Sequence, residues 1–298
     1  MGLKKTIKND SIYYFIRLII FIFNLVPRSV AVALGGRLGN FAYWLFARER
    51  RKAISNLGMA FGENLSPEEK DSIARSLFIN IGKNAVDVVR FKKHFSREIK
   101  PLVEVEGLEH FDAVYKRGRG VIAVTGHIGN FELIPVYMGS LGYKVSVIGR
   151  QLYDKRLDRL LVKNREGGGV VNIDTKQSIR KILQLLKEGY ALGVLIDTDS
   201  MRVRSVFIPA FARESWTPVG QSILGLRSGA GFVPMACVRA GNRYRIIIKP
   251  EVALKPSGDF EKDVYNITKR CTEVWEEIVD EYKDQWIWMH NRWNTRPN

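Results

Sequence analysis

VIAVTGHIGNFELIPVYMGSLG, residues 121–142, decides how this chain is read. It opens on an apolar β-branched run, VIAVT (121–125), turns through Gly126-His127-Ile128-Gly129, and passes into an apolar segment, LIPVYMGSLG (133–142), of helical character. A short, continuous apolar run suits a strand buried on both faces, and strand–turn–helix is the unit of an α/β layer. The rhythm repeats outward, with strands expected at 102–107, 144–149, 170–174, 191–197, 232–238 and 244–252. Between them, residues 176–188 place Ile179, Ile182, Leu183 and Leu186 on one helical face and stop at Gly189. A last helix over about 259–284 aligns Val264, Ile267, Cys271, Val274, Ile278 and Tyr282. Residues 47–95 read as helical, restarted by the capping sequence Ser66-Pro67-Glu68-Glu69. The fold class expected is α/β: a central, mainly parallel mixed sheet flanked by helices.

Ahead of this body lies IYYFIRLIIFIFNLV (12–26), almost wholly apolar but interrupted by Arg17 and Asn24. Fifteen helical residues extend about 22 Å, short of the roughly 30 Å hydrocarbon core, and a central Arg takes back about 3 of the roughly 5 kcal/mol that the apolar members supply. Basic residues flank it on both sides: Lys4, Lys5 and Lys8 before, Arg28, Arg37 and RERRK (48–52) after. That pattern fits a helix or helical hairpin lodged in one leaflet among anionic headgroups. The expected organisation is an N-terminal membrane anchor or pair of interfacial helices over 1–46, followed by one α/β domain over 47–298. Two rival readings of this end remain: Ala31-Val32-Ala33 has the small residues of a secretory cleavage site, and Met1-Gly2 with Thr6 fits the loose myristoylation pattern.

The chain has 298 residues, with 47 Lys plus Arg against 31 Asp plus Glu, a formal net charge of +16. Such an excess calls for an anionic partner: nucleic acid, lipid headgroups or an acidic protein. With 46% hydrophobic and 26% charged residues, disorder and collagen-like classes are excluded. Cys237 and Cys271 form no CxxC pair and are expected in the core. Gly167-Gly168-Gly169 lacks the Lys of a P-loop, no GxGxxG follows a strand, and no HExxH or paired ligand spacing suggests a metal. No cofactor is expected.

The chemistry concentrates at the strand end, where ligands of α/β sheets bind. His127 and Glu132 are five positions apart, about 140° around an ideal helix, so they meet only if His127 sits in the turn and Glu132 in the first helical turn. A carboxylate on one ring nitrogen would fix the tautomer of a general base. Backbone N–H groups around Gly129 and Asn130 offer an oxyanion site. The plainer alternative has His127 capping the helix and Glu132 solvated. Pro135 is too deep for a helix that starts at Asn130, which implies a kink or a later start.

GHIGNFE (126–132) resembles the HX4(D/E) block of glycerolipid-type acyltransferases and, more narrowly, the lipid A secondary acyltransferases. The accompanying segments are similar in order: RERRKAISNLGMAFGE (48–63), Arg150, Asn164-Arg165, LKEGYALGVLIDTD (186–199), FIPAFARESWTP (207–218) and QWIWMHNRW (285–293). The resemblance implies His127 as general base and Glu132 as its partner. It implies Arg150 as a clamp for an acceptor phosphate, with Gly129, Asn130, Arg165 and Asp197 in binding or structural roles. It further implies a fatty acyl thioester on acyl carrier protein as donor, a phosphorylated glycolipid as acceptor, anionic membrane lipids as partners, and work at the cytoplasmic face of the bacterial inner membrane. Another glycolipid, such as a phosphatidylinositol mannoside, is the alternative acceptor. A non-catalytic nucleic-acid binder would account for the charge but not for the apolar N-terminus. His290 is expected to pack and hydrogen-bond within WIWMHNRW, and His94 and His110 to lie at the surface.

Overall fold

The structure, a computed structural model, describes residues 3–149, 151–174, 179–211 and 213–297. Four helices lead: α1 (Leu3–Leu25), α2 (Arg28–Leu45), α3 (Ala47–Phe61) and α4 (Pro67–His94). Next come β1 (Val103–Glu106), α5 (Leu108–Tyr115), β2 (Val121–Thr125), α6 (Leu133–Ser140), β3 (Val145–Gly149), α7 (Lys155–Glu166), β4 (Val170–Asp174), α8 (Ile179–Lys187) and β5 (Ala191–Leu195). A hairpin of β6 (Ser205–Ala210) and β7 (Arg213–Pro218) precedes α9 (Gly220–Ser228), β8 (Gly231–Ala240), β9 (Arg243–Ile248) and α10 (Phe260–Glu281).

Seven strands form one sheet in the order β1-β9-β8-β2-β5-β3-β4. The neighbours from β8 to β4 are parallel, β9 runs antiparallel to β8, and β1 is parallel to β9. The expected strands are therefore present, and the sheet is mixed but mainly parallel. All five residues of β2 are buried, because helices cover both faces of the sheet. Ile122 and Val124 point into the layer with α8, α9 and α10, and Val121 and Ala123 into the layer with α5 and α6. Helix α6 begins only at Leu133, so Pro135 falls in its first turn, where the missing N–H costs nothing.

The β6–β7 hairpin is the element that the sequence pattern hides. Its inward positions include Ser205, Ser215 and Thr217, all buried and polar, so apolar alternation is lost. Phe211 at its tip takes φ +50° and is buried among Trp275, Trp286, Trp288 and Trp293.

Helices α1 and α2 pack against the domain through α4. A Cβ at Gly39 would run into the Phe78 carbonyl oxygen, and one at Gly82 into that of Gly35, so the backbones of α2 and α4 touch. Arg28 donates to both carboxylate oxygens of buried Asp87 at 2.8 Å, and Arg90 donates to the carbonyls of Phe23 and Val26 at the α1–α2 junction. The outer face is apolar: Phe15, Leu18, Phe21, Leu25, Leu38, Phe41, Trp44 and Leu45 are exposed. Among the described residues no helix is long and apolar enough to cross a membrane, so the expected membrane-anchor helix is not supported. Arg17 breaks the apolar run of α1, and the glycine face of α2 is spent on α4.

Gly82→Ala tests the backbone contact. Although Ala is the better helix former, the clash should cost about 1–3 kcal/mol and lower the thermal midpoint by several degrees. Gly58→Ala, where no atom lies within 4 Å of the new Cβ, should be neutral or slightly stabilising in the same melt.

Candidate active site

Strands β2 and β5 are parallel neighbours in register, with Thr125 opposite Leu195. His127 and Asp197 each lie two residues beyond those positions, so the two turns bring them side by side at the carboxyl end of the sheet. His127 Nδ1 is 2.8 Å from Asp197 Oδ1, and the His127 backbone N–H donates to Asp197 Oδ2 at 2.7 Å. Trp286 Nε1–H donates to the same Oδ2 at 2.8 Å. Asp197 is fully buried. Burial alone would raise its pKa, but the charge and hydrogen bond of His127, with His290 and Trp286, hold the carboxyl well below the usual range. An ionised carboxylate only accepts, so Nδ1 is the donor and the Nε2 lone pair is the basic site. No hydrogen bond involves Nε2 among the described residues.

Burial pushes the His127 pKa down, but the charge and hydrogen bond of Asp197, with the charge of Glu132, outweigh it and carry the pKa above the ordinary 6.5. His290 lies beside it, ring centroids 4.4 Å apart, and burial with the neighbouring cations drops its pKa to about 4 despite Asp197. His290 is therefore neutral at neutral pH, in keeping with a packing role. His127, Asp197 and His290 hold ligand atoms within 4.8 Å of one another, close enough for a cation. The oxygens of Asp197, however, already accept three protein hydrogen bonds.

Glu132 is not the ring's hydrogen-bond partner. The turn at Gly129 and the late start of α6 put Glu132 at the helix N-terminus, and Arg165 of α7 claims it with Nε to Oε2 at 2.9 Å and Nη2 to Oε1 at 2.6 Å. Arg165 Nη1 also donates to Asn172 at 2.6 Å. Two further expectations are corrected. The Gly129 N–H donates to Gln285 O at 2.9 Å and the Asn130 N–H to Cys237 O at 2.8 Å, so neither is free for an oxyanion. The Asn130 side chain is buried and donates to Tyr244 at 3.0 Å. Gly129, at φ +56°, approaches the Cys237 backbone so closely that any Cβ would clash. These two residues build the turn. Arg150 lies outside the described residues.

The C-terminal segment completes the site. Ile287 N donates to His127 O at 3.1 Å, and Asn56 of α3 holds the carbonyls of Trp288 and His290 at 2.5 and 2.8 Å. Arg292, fully buried, is left by burial with a pKa of about 10 near Asp197 and Glu276. Next to the turn that carries His127 lies an apolar pocket of about 60 Å³, lined by Ala123, Val147, Gly193, Ile134 and Met138 and bordered by Glu132 and Arg165.

The strand end thus presents a histidine steadied by a buried carboxylate next to an apolar pocket. The family model of the bacterial lipid A biosynthesis acyltransferases matches residues 3–295, and the chain belongs to that family and is an acyltransferase. It is similar to the lipid A biosynthesis lauroyltransferase of Escherichia coli (strain K12), 28% identical over 275 residues, 91% of this chain and 88% of that one. The lipid A biosynthesis palmitoleoyltransferase of the same organism is 26% identical over 91% of this chain and 87% of its own. A phosphatidylinositol mannoside acyltransferase of Mycolicibacterium smegmatis is 22% identical over 89% of this chain and 94% of its own.

Asp197→Asn tests the electrostatics directly. With the anion gone, burial dominates, so the His127 midpoint, followed by the NMR titration of its Cε1–H, should fall from above 6.5 to below it. An unchanged midpoint would deny Asp197 its hold on the ring.

Proposed function

We propose that this chain transfers a fatty acyl group from the thioester of acyl carrier protein to a hydroxyl of a phosphorylated lipid A precursor. The setting is the cytoplasmic face of the bacterial inner membrane. The observation that carries the mechanism is the 2.8 Å contact of His127 Nδ1 with Asp197, which leaves Nε2 as the basic nitrogen. His127 Nε2 takes the proton of the acceptor hydroxyl as its oxygen attacks the thioester carbonyl. The tetrahedral intermediate collapses, an ester forms, and the carrier leaves as a thiol after proton return from the imidazolium. Asp197 stabilises that imidazolium without taking its proton. Glu132 adds negative field at His127 and anchors Arg165 beside the apolar pocket, which receives part of the acyl chain.

The exposed surface of the N-terminal helices supports this reading. The exposed apolar face of α1 and α2 matches a bilayer interface, and α3 adds the basic run of residues 48–52. The net charge of +16 suits both an acidic carrier and a phosphorylated lipid.

The test is incubation with a set of acyl carrier protein thioesters and a tetra- or penta-acylated lipid A precursor, read by mass spectrometry. Wild type should add one acyl chain, and His127→Ala should lose about 10²–10⁴ in rate with its circular dichroism intact. Transfer at the wild-type rate by His127→Ala would overturn the mechanism. Acylation of a phosphatidylinositol mannoside alone would reassign the acceptor. Ala123→Leu, which narrows the pocket, should shift the preferred donor to a shorter chain in the same assay.

A further inference from the structure

A second groove lies away from the catalytic cleft, between α1, α4 and α7, with a volume of about 320 Å³. Ile16 and Ile20 of α1, Val89 of α4 and Leu157, Leu160 and Leu161 of α7 make it apolar. Lys92, Lys93 and Lys163 border it, all exposed and none in an ion pair among the described residues, and no carboxylate lines it. Its walls are tied together. Asn24 Nδ2 donates to Val89 O at 3.3 Å, joining α1 to α4, and Asn164 Nδ2 donates to Val88 O at 3.0 Å, joining α7 to α4. Arg156 of α7 bonds Asp10 at 2.7 Å and stacks on Tyr13 at 4.2 Å, joining α7 to α1.

An apolar trough with an unpaired cationic border matches a molecule with a hydrocarbon tail and an anionic head. The α1 wall bears the outward Phe15, Leu18, Phe21 and Leu25 on its other side, so one helix carries both the groove wall and the apolar face assigned to the bilayer. We propose that it holds one acyl chain of an anionic glycerophospholipid drawn from the bilayer, with the phosphate on Lys92, Lys93 and Lys163. Zwitterionic lipid fits less well, because the groove offers no carboxylate to meet an amine or choline. The site is separate from the catalytic assignment. Asn164 lines the groove, whereas Arg165, next in the chain, lines the cleft.

Native mass spectrometry of the full chain in detergent tests it, with phosphatidylglycerol or phosphatidylcholine of identical chains added. The expected result is one phosphatidylglycerol per chain, preferred at least tenfold over phosphatidylcholine. Lys92→Glu/Lys93→Glu/Lys163→Glu should abolish the preference, and Leu160→Trp, which fills the trough, should cut retention tenfold with the lysines in place. Reversing the exposed Lys187, Lys255 and Lys262 should leave retention unchanged. Equal binding of the two lipids, equal retention by wild type and both groove variants, or stoichiometric displacement of the phospholipid by a lipid A precursor would overturn the proposal. Because binding alone is read, the outcome is independent of acyl transfer.

Discussion

The site depends on keeping one carboxylate charged where no water reaches it. An isolated buried anion is expensive and would rather take up a proton, so Asp197 stays ionised only because three N–H donors meet it. Two come from His127, after β2, and the third from Trp286, more than 150 residues later in the chain. The C-terminal segment therefore has to fold back over the strand ends before the dyad exists. Its backbone bonds to His127 and Gly129, and the grip of Asn56 on Trp288 and His290, serve that closure. Segments 186–199 and 285–293 meet at this charge, and Asn56 of segment 48–63 holds the backbone of the latter.

Legibility followed the range of the forces involved. Strands β2 and β4 match their expected bounds because burial on both faces leaves continuous β-branched runs, a local signal. The place of His127 in a turn at a strand end was legible from its glycines and from the apolar run before it. The partner of His127 was not, because sequence proximity favoured Glu132 while sheet register delivers Asp197. That register follows from the adjacency of β2 and β5, and strand order is a tertiary property that periodicity does not carry. Equal offsets from two strand ends were a usable signal only once that adjacency was known. The turn amides at 129 and 130 misled for a related reason: a helix start advertises free N–H groups, but here the late start of α6 lets Gln285 and Cys237 consume them. The β6–β7 hairpin escaped because its inward face is polar.

A second buried carboxylate organises the other half of the molecule. Asp87 of α4 meets Arg28 of α2, Arg239 of β8 at 2.6 Å and Tyr244 of β9 at 2.6 Å, and Tyr244 accepts from Asn130 in the turn after β2. Arg239 and Asp87 are both almost wholly buried, so removing Asp87 would strand the Arg239 charge, whereas Asp87 without Arg239 would keep Arg28. The chain of contacts runs from the N-terminal helices to the turn that carries His127. With the backbone contact at Gly39 and Gly82, it makes α2 a packing element of the enzyme body as well as a carrier of exposed apolar surface.

Helix α7 connects these features. Its twelve residues, about 18 Å long, include none that is buried, so core packing contributes little to its position. It is held by polar ties: Arg156 to α1 at one end, Asn164 to α4 and Arg165 to Glu132 at the other. One face closes the lysine-bordered groove, and its last turn borders the apolar pocket next to the turn that carries His127. The Arg165–Glu132 pair does two jobs in that arrangement, fixing the helix and adding negative potential at the imidazole. A carboxylate selected for the second job alone would not need a bidentate guanidinium, which neutralises much of its field. Its main contribution is to hold α7 against the sheet, which separates the role of Glu132 from that of Asp197.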